Sequence, residues 1–333
     1  MAHGPRAGLR RLMAVVAAAA LPAAALVNLA ASPPVAASGP KYTLALIPGL
    51  TIDPFYITMD LGAQAAAHKL GIRVLWQGAS QWSVSQQTPY VNAMVARHVN
   101  GILIAPTDLK EMIPPILNAV HHHIPVLTVD TTISNQKLLI SAITSDNAQG
   151  GALAARTFAR LLHGHGEVAV INTIPGISTT DLRQNGFVQA LKKYPHMKLV
   201  AAEYDQDSQT TAQTQVEHLL LRYPHLGGIF GTNLYSAVGA AAGVRAAGMA
   251  NKVKVIGYDA EPLEVQDLKS GLIYALIAQK PFSEGYLGVV YMYDYLTGHH
   301  KAIRHSVLLP NVVLTKANLA KNTQWIYKSS TKP

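Results

Sequence analysis

The sequence predicts an α/β fold of two doubly wound, Rossmann-like lobes, each built on a mostly parallel sheet. Three observations predict it. Short β-branched runs alternate with longer amphipathic stretches from Lys41 onward. That rhythm breaks near Leu138–Ser145 and then starts again. The length, 333 residues, exceeds one typical domain of roughly 100–150. The apolar fraction of 49% supplies two cores and argues against disorder.

In chain order, Thr43–Ile47, Ile72–Trp76, Gly101–Ile104 and Val126–Val129 read as strands, with helices expected near Ile57–Leu70, Gln86–His98 and Leu109–His121. After the break, strands are expected at Val168–Asn172, Leu199–Tyr204, Gly228–Phe230 and Val253–Gly257. Their helices fall near Thr180–Lys193, Thr210–Arg222, Ala237–Ala247 and Pro262–Lys269. Continuous apolar strands are buried on both faces, which points to parallel sheets with helices on either side. Right-handed crossovers then wind each sheet in both directions. A single sheet of eight or more strands is the less common alternative.

Before Lys41 the chain carries a basic head (Arg6, Arg10, Arg11), an apolar run from Leu12 to Val27, and small residues around Val35-Ala36-Ala37. This order predicts a signal peptide over residues 1–38. The run falls short of the ~20 residues of a spanning helix, so no stable membrane anchor is expected. The chain has no cysteine, which excludes disulfides, thiol catalysis, cysteine zinc sites and a lipidated cysteine. Removing the three arginines of the head takes the formal charge from +9 to +6. No Lys/Arg run of the kind that tracks a phosphate backbone remains, so nucleic acid is not an expected partner.

In doubly wound sheets ligands bind beyond the carboxyl ends of the strands, and those loops are rich in polar groups here. The first carries Asp53-Pro54-Phe55-Tyr56 and lacks a glycine-rich phosphate loop. Asp53 also suits a helix cap, and the two rings also suit a core. Later loops offer Asp130-Thr131, then Ser178-Thr179-Thr180-Asp181 with Arg183 one turn on, then Asn233, Asp259 and Gln279. Either Ser178 or Thr180 is expected to cap the helix there, and Arg183 also suits a solvated face. Carboxylate, amide and guanidinium groups each engage two neighbouring hydroxyls, and aromatic faces cover the C–H faces of a sugar ring. The pattern fits a cleft for a polyhydroxylated ligand.

Several stretches carry a more specific resemblance: Ile52–Tyr56, Ala105–Asp108, Ile124–Asp130, Ser145–Asn147 with Gly150-Gly151, Arg183–Phe187, Gly231–Asn233, Val255–Asp259 and Ala278–Pro281. In their order and spacing the chain resembles the ribose/galactose-type (type I) periplasmic binding proteins, relatives of the effector lobes of LacI-type repressors. The resemblance implies ligand contacts from Phe55, Tyr56, Asp130, Arg183, Asn233, Asp259 and Gln279. It also implies a three-strand hinge near Ile143–Asn147, Ile277–Pro281 and His305–Pro310. The lobes would then comprise residues 41–145 with 279–307, and 146–278 with 308–333. Departures matter. Asp53 stands where ribose binders carry asparagine, Thr131 where they carry a second arginine, Gly49 for a serine and Asp207 for an aromatic. Asp53, Thr131, Asp181 and Asp207 join the candidate contacts, and Trp82 is a candidate for replacement stacking. Trp76 suits the core. Another pentose, a hexose, a polyol or an amine-bearing ligand all stay open.

The implied function is the periplasmic solute-binding component of an ABC importer, a monomer without cofactors that closes on its ligand. A receptor that presents its ligand to a chemoreceptor or sensor kinase is the alternative. An enzyme is disfavoured, because no nucleophile elbow, P-loop or metalloprotease helix is present. The run His121-His122-His123 cannot share one helical face and suits a solvated helix end better than a metal site.

Overall fold

The computed structural model describes Met1 and residues 40–330; the expected signal peptide lies outside the described residues. No helix among the described residues is long and apolar enough to cross a membrane.

The first sheet has six strands in the order β11-β5-β4-β3-β1-β2, all paired in parallel. They are β1 (Thr43–Ile47), β2 (Arg73–Trp76), β3 (Gly101–Ile104), β4 (Val126–Val129), β5 (Ala142–Ser145) and β11 (Ser306–Leu309). Helices α1 (Pro54–Leu70), α2 (Val84–Ala96), α3 (Ile113–His121) and α9 (Pro281–Leu296) cover it. Every residue of β3 is buried, as expected for a strand sandwiched between helices. Alternation along β1 divides the core: Leu44 and Leu46 join Met59 and Ala63, while Ala45 and Ile47 join Met94 and Ile116.

The second sheet repeats the plan in the order β12-β10-β9-β8-β6-β7, parallel except for the β10–β12 pair. It contains β6 (His165–Asn172), β7 (His196–Tyr204), β8 (Leu226–Gly231), β9 (Lys254–Tyr258), β10 (Ile273–Ala278) and β12 (Val312–Thr315). Its helices are α4 (Asn147–Leu161), α5 (Ser178–Leu191), α6 (Gln209–Arg222), α7 (Leu234–Ala246) and α8 (Pro262–Ser270). Phe158, Phe187, Phe230 and Tyr258 fill one face of this sheet.

The chain passes between the sheets three times: from β5 into α4, from β10 into α9, and from β11 into β12. The first and third passages are bonded together. Asp146 N–H donates to the Leu309 carbonyl at 2.8 Å, and the Asn311 side chain donates to the Asp146 carbonyl at 2.7 Å.

Two helix pairs meet backbone to backbone, and glycine permits it. A Cβ on Gly151 of α4 would collide with the Arg183 carbonyl of α5, and one on Gly186 with the Ala148 carbonyl. The same device joins α1 to α9 through Gly62 and Gly285.

Some expected boundaries shift. Helix α5 starts at Ser178 with Ile177 as its N-cap, so neither Ser178 nor Thr180 caps it. Helix α3 begins only at Ile113, because the Asp108 carboxylate accepts from Lys110 N–H and Glu111 N–H and holds a turn first. The break near Leu138–Ser145 contains a 3-10 turn at Gln136–Leu138 and then a fifth strand of the first sheet.

Candidate functional site

The strand ends of the two sheets face a shared crevice with about 560 Å³ of space, mouth included. From the first lobe it is lined by Asp53, Phe55, Tyr56, Trp82 and Asp130. From the second it is lined by Arg183, Asp207, Asn233 and Asp259, and Gln279 stands at the passage between lobes. Ten of the twelve predicted residues therefore share one cavity.

Each is set by its local chain. Asp53 caps α1, its carboxylate accepting from Phe55 N–H at 2.7 Å, so capping and lining are one placement. Phe55 and Tyr56 lie in the first turn of α1, with rings edge to face at 5.1 Å. The Tyr56 hydroxyl donates to Asp130 Oδ2 at 2.6 Å. Both Asp130 and Asp259 end their strands with positive φ, 62° and 97°. That conformation is costly for residues other than glycine and is held by the surrounding bonds.

Arg183 is buried and spent on structure from three sides. Its Nε donates to Asn147 at 2.8 Å, its Nη1 donates to the Thr232 carbonyl at 2.9 Å, and its guanidinium lies 3.9 Å from the Tyr258 ring centroid. Its Nη1 also stands 3.9 Å from Asp259 Oδ2. Asp259 Oδ1 accepts from Gln279 Nε2 at 2.6 Å and from the Tyr327 hydroxyl at 3.1 Å. Asn233 divides its amide: Oδ1 caps α7 by accepting from Ser236 N–H, and Nδ2 donates to Asp207 Oδ1 at 2.7 Å. Two polar atoms at the crevice, Trp82 Nε1 and Gln279 Oε1, have no hydrogen-bond partner among the described residues.

Gly49 and Trp82 fit each other. A Cβ on Gly49 would strike the Trp82 ring and stand 2.7 Å from the Tyr56 hydroxyl. Trp76, by contrast, packs against the core of the first lobe.

Carboxylates dominate the electrostatics. Burial pushes Asp53 up to about 7, opposed by a side-chain bond from Glu261 and by Phe55 N–H. Burial also raises Asp130 to about 6, against the pull of Arg183 and Tyr56. Asp259 is raised by burial and held back by Arg183, Gln279 and Tyr327. Glu261 lies well above the carboxylate range, first through burial and then through the Asp53 charge. Asp53 and Glu261 therefore act on each other across the lobes, and burial holds both above the ordinary carboxylate range.

Two predicted residues do not reach the crevice. Thr131 follows the turn at Asp130 and points the other way, its hydroxyl donating to the Pro106 carbonyl at 2.7 Å. Asp181 accepts from Gly176 N–H at 3.0 Å. On a helix Thr180 and Arg183 share a face, and Asp181 is rotated off it. The crevice also contains residues not singled out from the sequence, among them Leu50, Thr173, Ile177, Tyr235 and Glu261. Glu261 did leave a signal, an acid two residues beyond Asp259 and just before a proline. Tyr235, in the first turn of α7, left none.

Outside the crevice, His122 Nδ1 lies 2.8 Å from the Asn118 carbonyl on an exposed helix end. Among the described residues no group of three or more His, Cys, Asp and Glu is placed to hold a metal.

Comparison with known proteins places this geometry. A family model described as a periplasmic binding protein domain matches residues 44–300. The ribose import binding protein of Haemophilus influenzae is 32% identical over 271 residues, covering 81% of this chain and 90% of that protein. A solute-binding protein of an ABC transporter from Agrobacterium vitis, solved with α-D-tagatopyranose, is 38% identical with a TM-score of 0.83, covering 86% of this chain and all 100% of that one. A carbohydrate transporter solute-binding protein from Agrobacterium radiobacter, solved with D-arabinose, is 30% identical with a TM-score of 0.80, covering 86% and 98%.

Proposed function

The chain belongs to the periplasmic binding protein family, and on that premise we propose that its crevice captures one monosaccharide for an ABC importer. Its relatives are binding proteins for sugar transport rather than enzymes. They are named for import, which leaves the chemoreceptor or sensor-kinase alternative without support.

One observation carries the reading. Polar groups at separate strand ends of both lobes line a single cavity beside Phe55, Tyr56 and Trp82. A pyranose between the lobes stacks its C–H faces on those rings and offers its hydroxyls to Asp130, Arg183, Asn233, Asp259 and Gln279. Only the closed form satisfies both sets, so the ligand stabilises closure. The moving bodies are the two lobes, residues 41–145 with 279–309 and residues 146–278 with 310–330; the expected boundary at 307 shifts because Leu308 and Leu309 pair with Thr144 and Ser145 of β5. Burial raises both Asp53 and Glu261, which lowers the negative charge of the crevice and favours a neutral sugar over an amine-bearing one. Export through the N-terminal head, a periplasmic location and a freely diffusing monomer belong to the same proposal.

The test is thermal unfolding of the mature protein with D-tagatose, D-arabinose, D-ribose and D-glucosamine. A true ligand at 100 times its Kd stabilises by about 2.7 kcal/mol. Asp259→Ala should weaken that sugar's binding at least several-fold, since its hydroxyl partners are left unpaired. A flat response to all four compounds, or an unchanged titration of the variant, would overturn the reading.

A further inference from the structure

The last described residues reach the crevice from behind. After β12 the tail makes 3-10 turns at Leu319–Lys321 and Thr323–Trp325. Trp325 then lies 4.9 Å under the Lys280 ammonium, beside the passage into α9. Tyr327 is buried, 2% exposed. Its hydroxyl accepts from Gln279 N–H at 2.9 Å and donates to Asp259 Oδ1 at 3.1 Å. Its own N–H donates to the Ala260 carbonyl at 3.0 Å. Its ring meets Phe55 of the first lobe edge to face at 5.6 Å. The next residue, Lys328, donates its N–H to Thr58 Oγ1 on α1 at 2.6 Å. Two consecutive residues thus bond the second lobe, the passage between lobes and the first lobe.

We propose that Tyr327 is a positioning residue of the binding site, and that the tail carrying it is a strap fastening both lobes at the base of the crevice. With Gln279 and Tyr327 both on Oδ1, Asp259 is left its Oδ2 for Arg183 and a ligand. The same hydroxyl satisfies Gln279 N–H, which would otherwise be a buried orphan. Asp259 holds a positive φ of 97°, a conformation that persists only when its neighbours over-determine it. A phenylalanine could fill the space of Tyr327 but could not make either bond. What Asp259 does for a ligand rests on the sugar-binding reading; the contact itself does not.

The experiment compares wild type, Tyr327→Phe and Thr58→Val as full chains. Carboxyl NMR follows the titration of Asp259, and calorimetry measures binding of D-tagatose, D-arabinose and D-ribose. Asp259 faces Arg183 from α5, Asp130 from the end of β4, Asp53 from the start of α1, Glu261 and Glu264 from the start of α8, and Tyr258 beside it. All six are kept. Losing the hydroxyl removes a donor to the charged form, so the Asp259 midpoint should rise in Tyr327→Phe. Its sugar Kd should rise roughly ten-fold. Thr58→Val should leave the midpoint in place and raise Kd by about two- to three-fold, through faster release. A wild-type midpoint in Tyr327→Phe overturns the proposal, whatever the sugar data show. If the wild type binds none of the sugars, the functional reading falls and the carboxyl titration still decides the role of Tyr327. Should Tyr327→Phe fail to fold, amide exchange at Gln279 in the wild type decides. Protection matching the interior of β10 supports the contact, and rapid exchange overturns it.

Discussion

Single residues decide how the crevice is tuned. Gly49 lacks a side chain where the Trp82 ring lies, so the glycine and the tryptophan form one feature. Gly49→Ser should expel the ring, redden the Trp82 emission and weaken sugar binding several-fold, without unfolding the lobe; unchanged fluorescence and affinity would refute this. Asp53 and Glu261 set the response to pH. Both lie above the ordinary carboxylate range in the folded protein, so folding takes up protons. A raised carboxyl stabilises fully below its unfolded value near ~4. That contribution is lost as pH rises through about 7. Calorimetric melting between pH 5 and pH 8 should therefore show a falling Tm in the wild type. Glu261→Gln cannot titrate at this position, so its slope should be shallower; equal slopes would exclude Glu261 as a source of the response. Much of this site was legible, because Asp130, Arg183, Asn233, Asp259 and Gln279 end or follow apolar runs where ligands are expected. Thr131 and Asp181 stand off the crevice because adjacency in sequence is not adjacency on a wall. Tyr327 gave no signal, since nothing local says a tail residue returns to a strand end.

At the scale of elements, the reciprocal glycine contacts fix where the binding groups stand. Gly151 and Gly186 let α4 and α5 touch along the turn that carries Arg183. Gly151→Ala should push α5 outward, costing about 1–3 kcal/mol of stability. It should also weaken sugar binding, because the guanidinium shifts away from Asp259. Urea unfolding and calorimetry check the two effects separately, and a neutral result in both would show that the helices have slack. The strands were readable from their continuous apolar runs, as in Gly101–Ile104 and Val126–Val129. The fifth, Ala142-Ile143-Thr144-Ser145, is short and half polar, so only the family resemblance pointed to a strand near Ile143–Asn147, and pairing with β4 and β11 sets its bounds. Helix starts shifted where side-chain turns compete with helix, as at Asp108, or where no side chain caps, as at Ser178.

For the whole molecule the decisive feature is the set of three passages between lobes. Asn311 bonds the third to the first, donating its side chain to the Asp146 carbonyl at 2.7 Å and its N–H to Gln149 Oε1 at 3.1 Å. Asn311→Ala should cost about 1 kcal/mol of stability and widen the distribution of lobe separations without ligand. Small-angle scattering with and without sugar measures that spread, and profiles identical to the wild type would assign Asn311 a merely local role. That two lobes exist was legible in the restart of the strand rhythm. The return of the chain to each sheet was expected only from the family resemblance, with its crossing strand near His305–Pro310, since β11 and β12 are four-residue runs whose partners lie far away in sequence. These late edge strands bear on how the protein is made. The first sheet waits for residues 306–309 and the second for 312–315, so a ribosome must pass residue 309 before the first half can complete itself and residue 315 before the second. A nascent chain that stays incomplete for so long is one that a translocation pore for unfolded substrates can still thread.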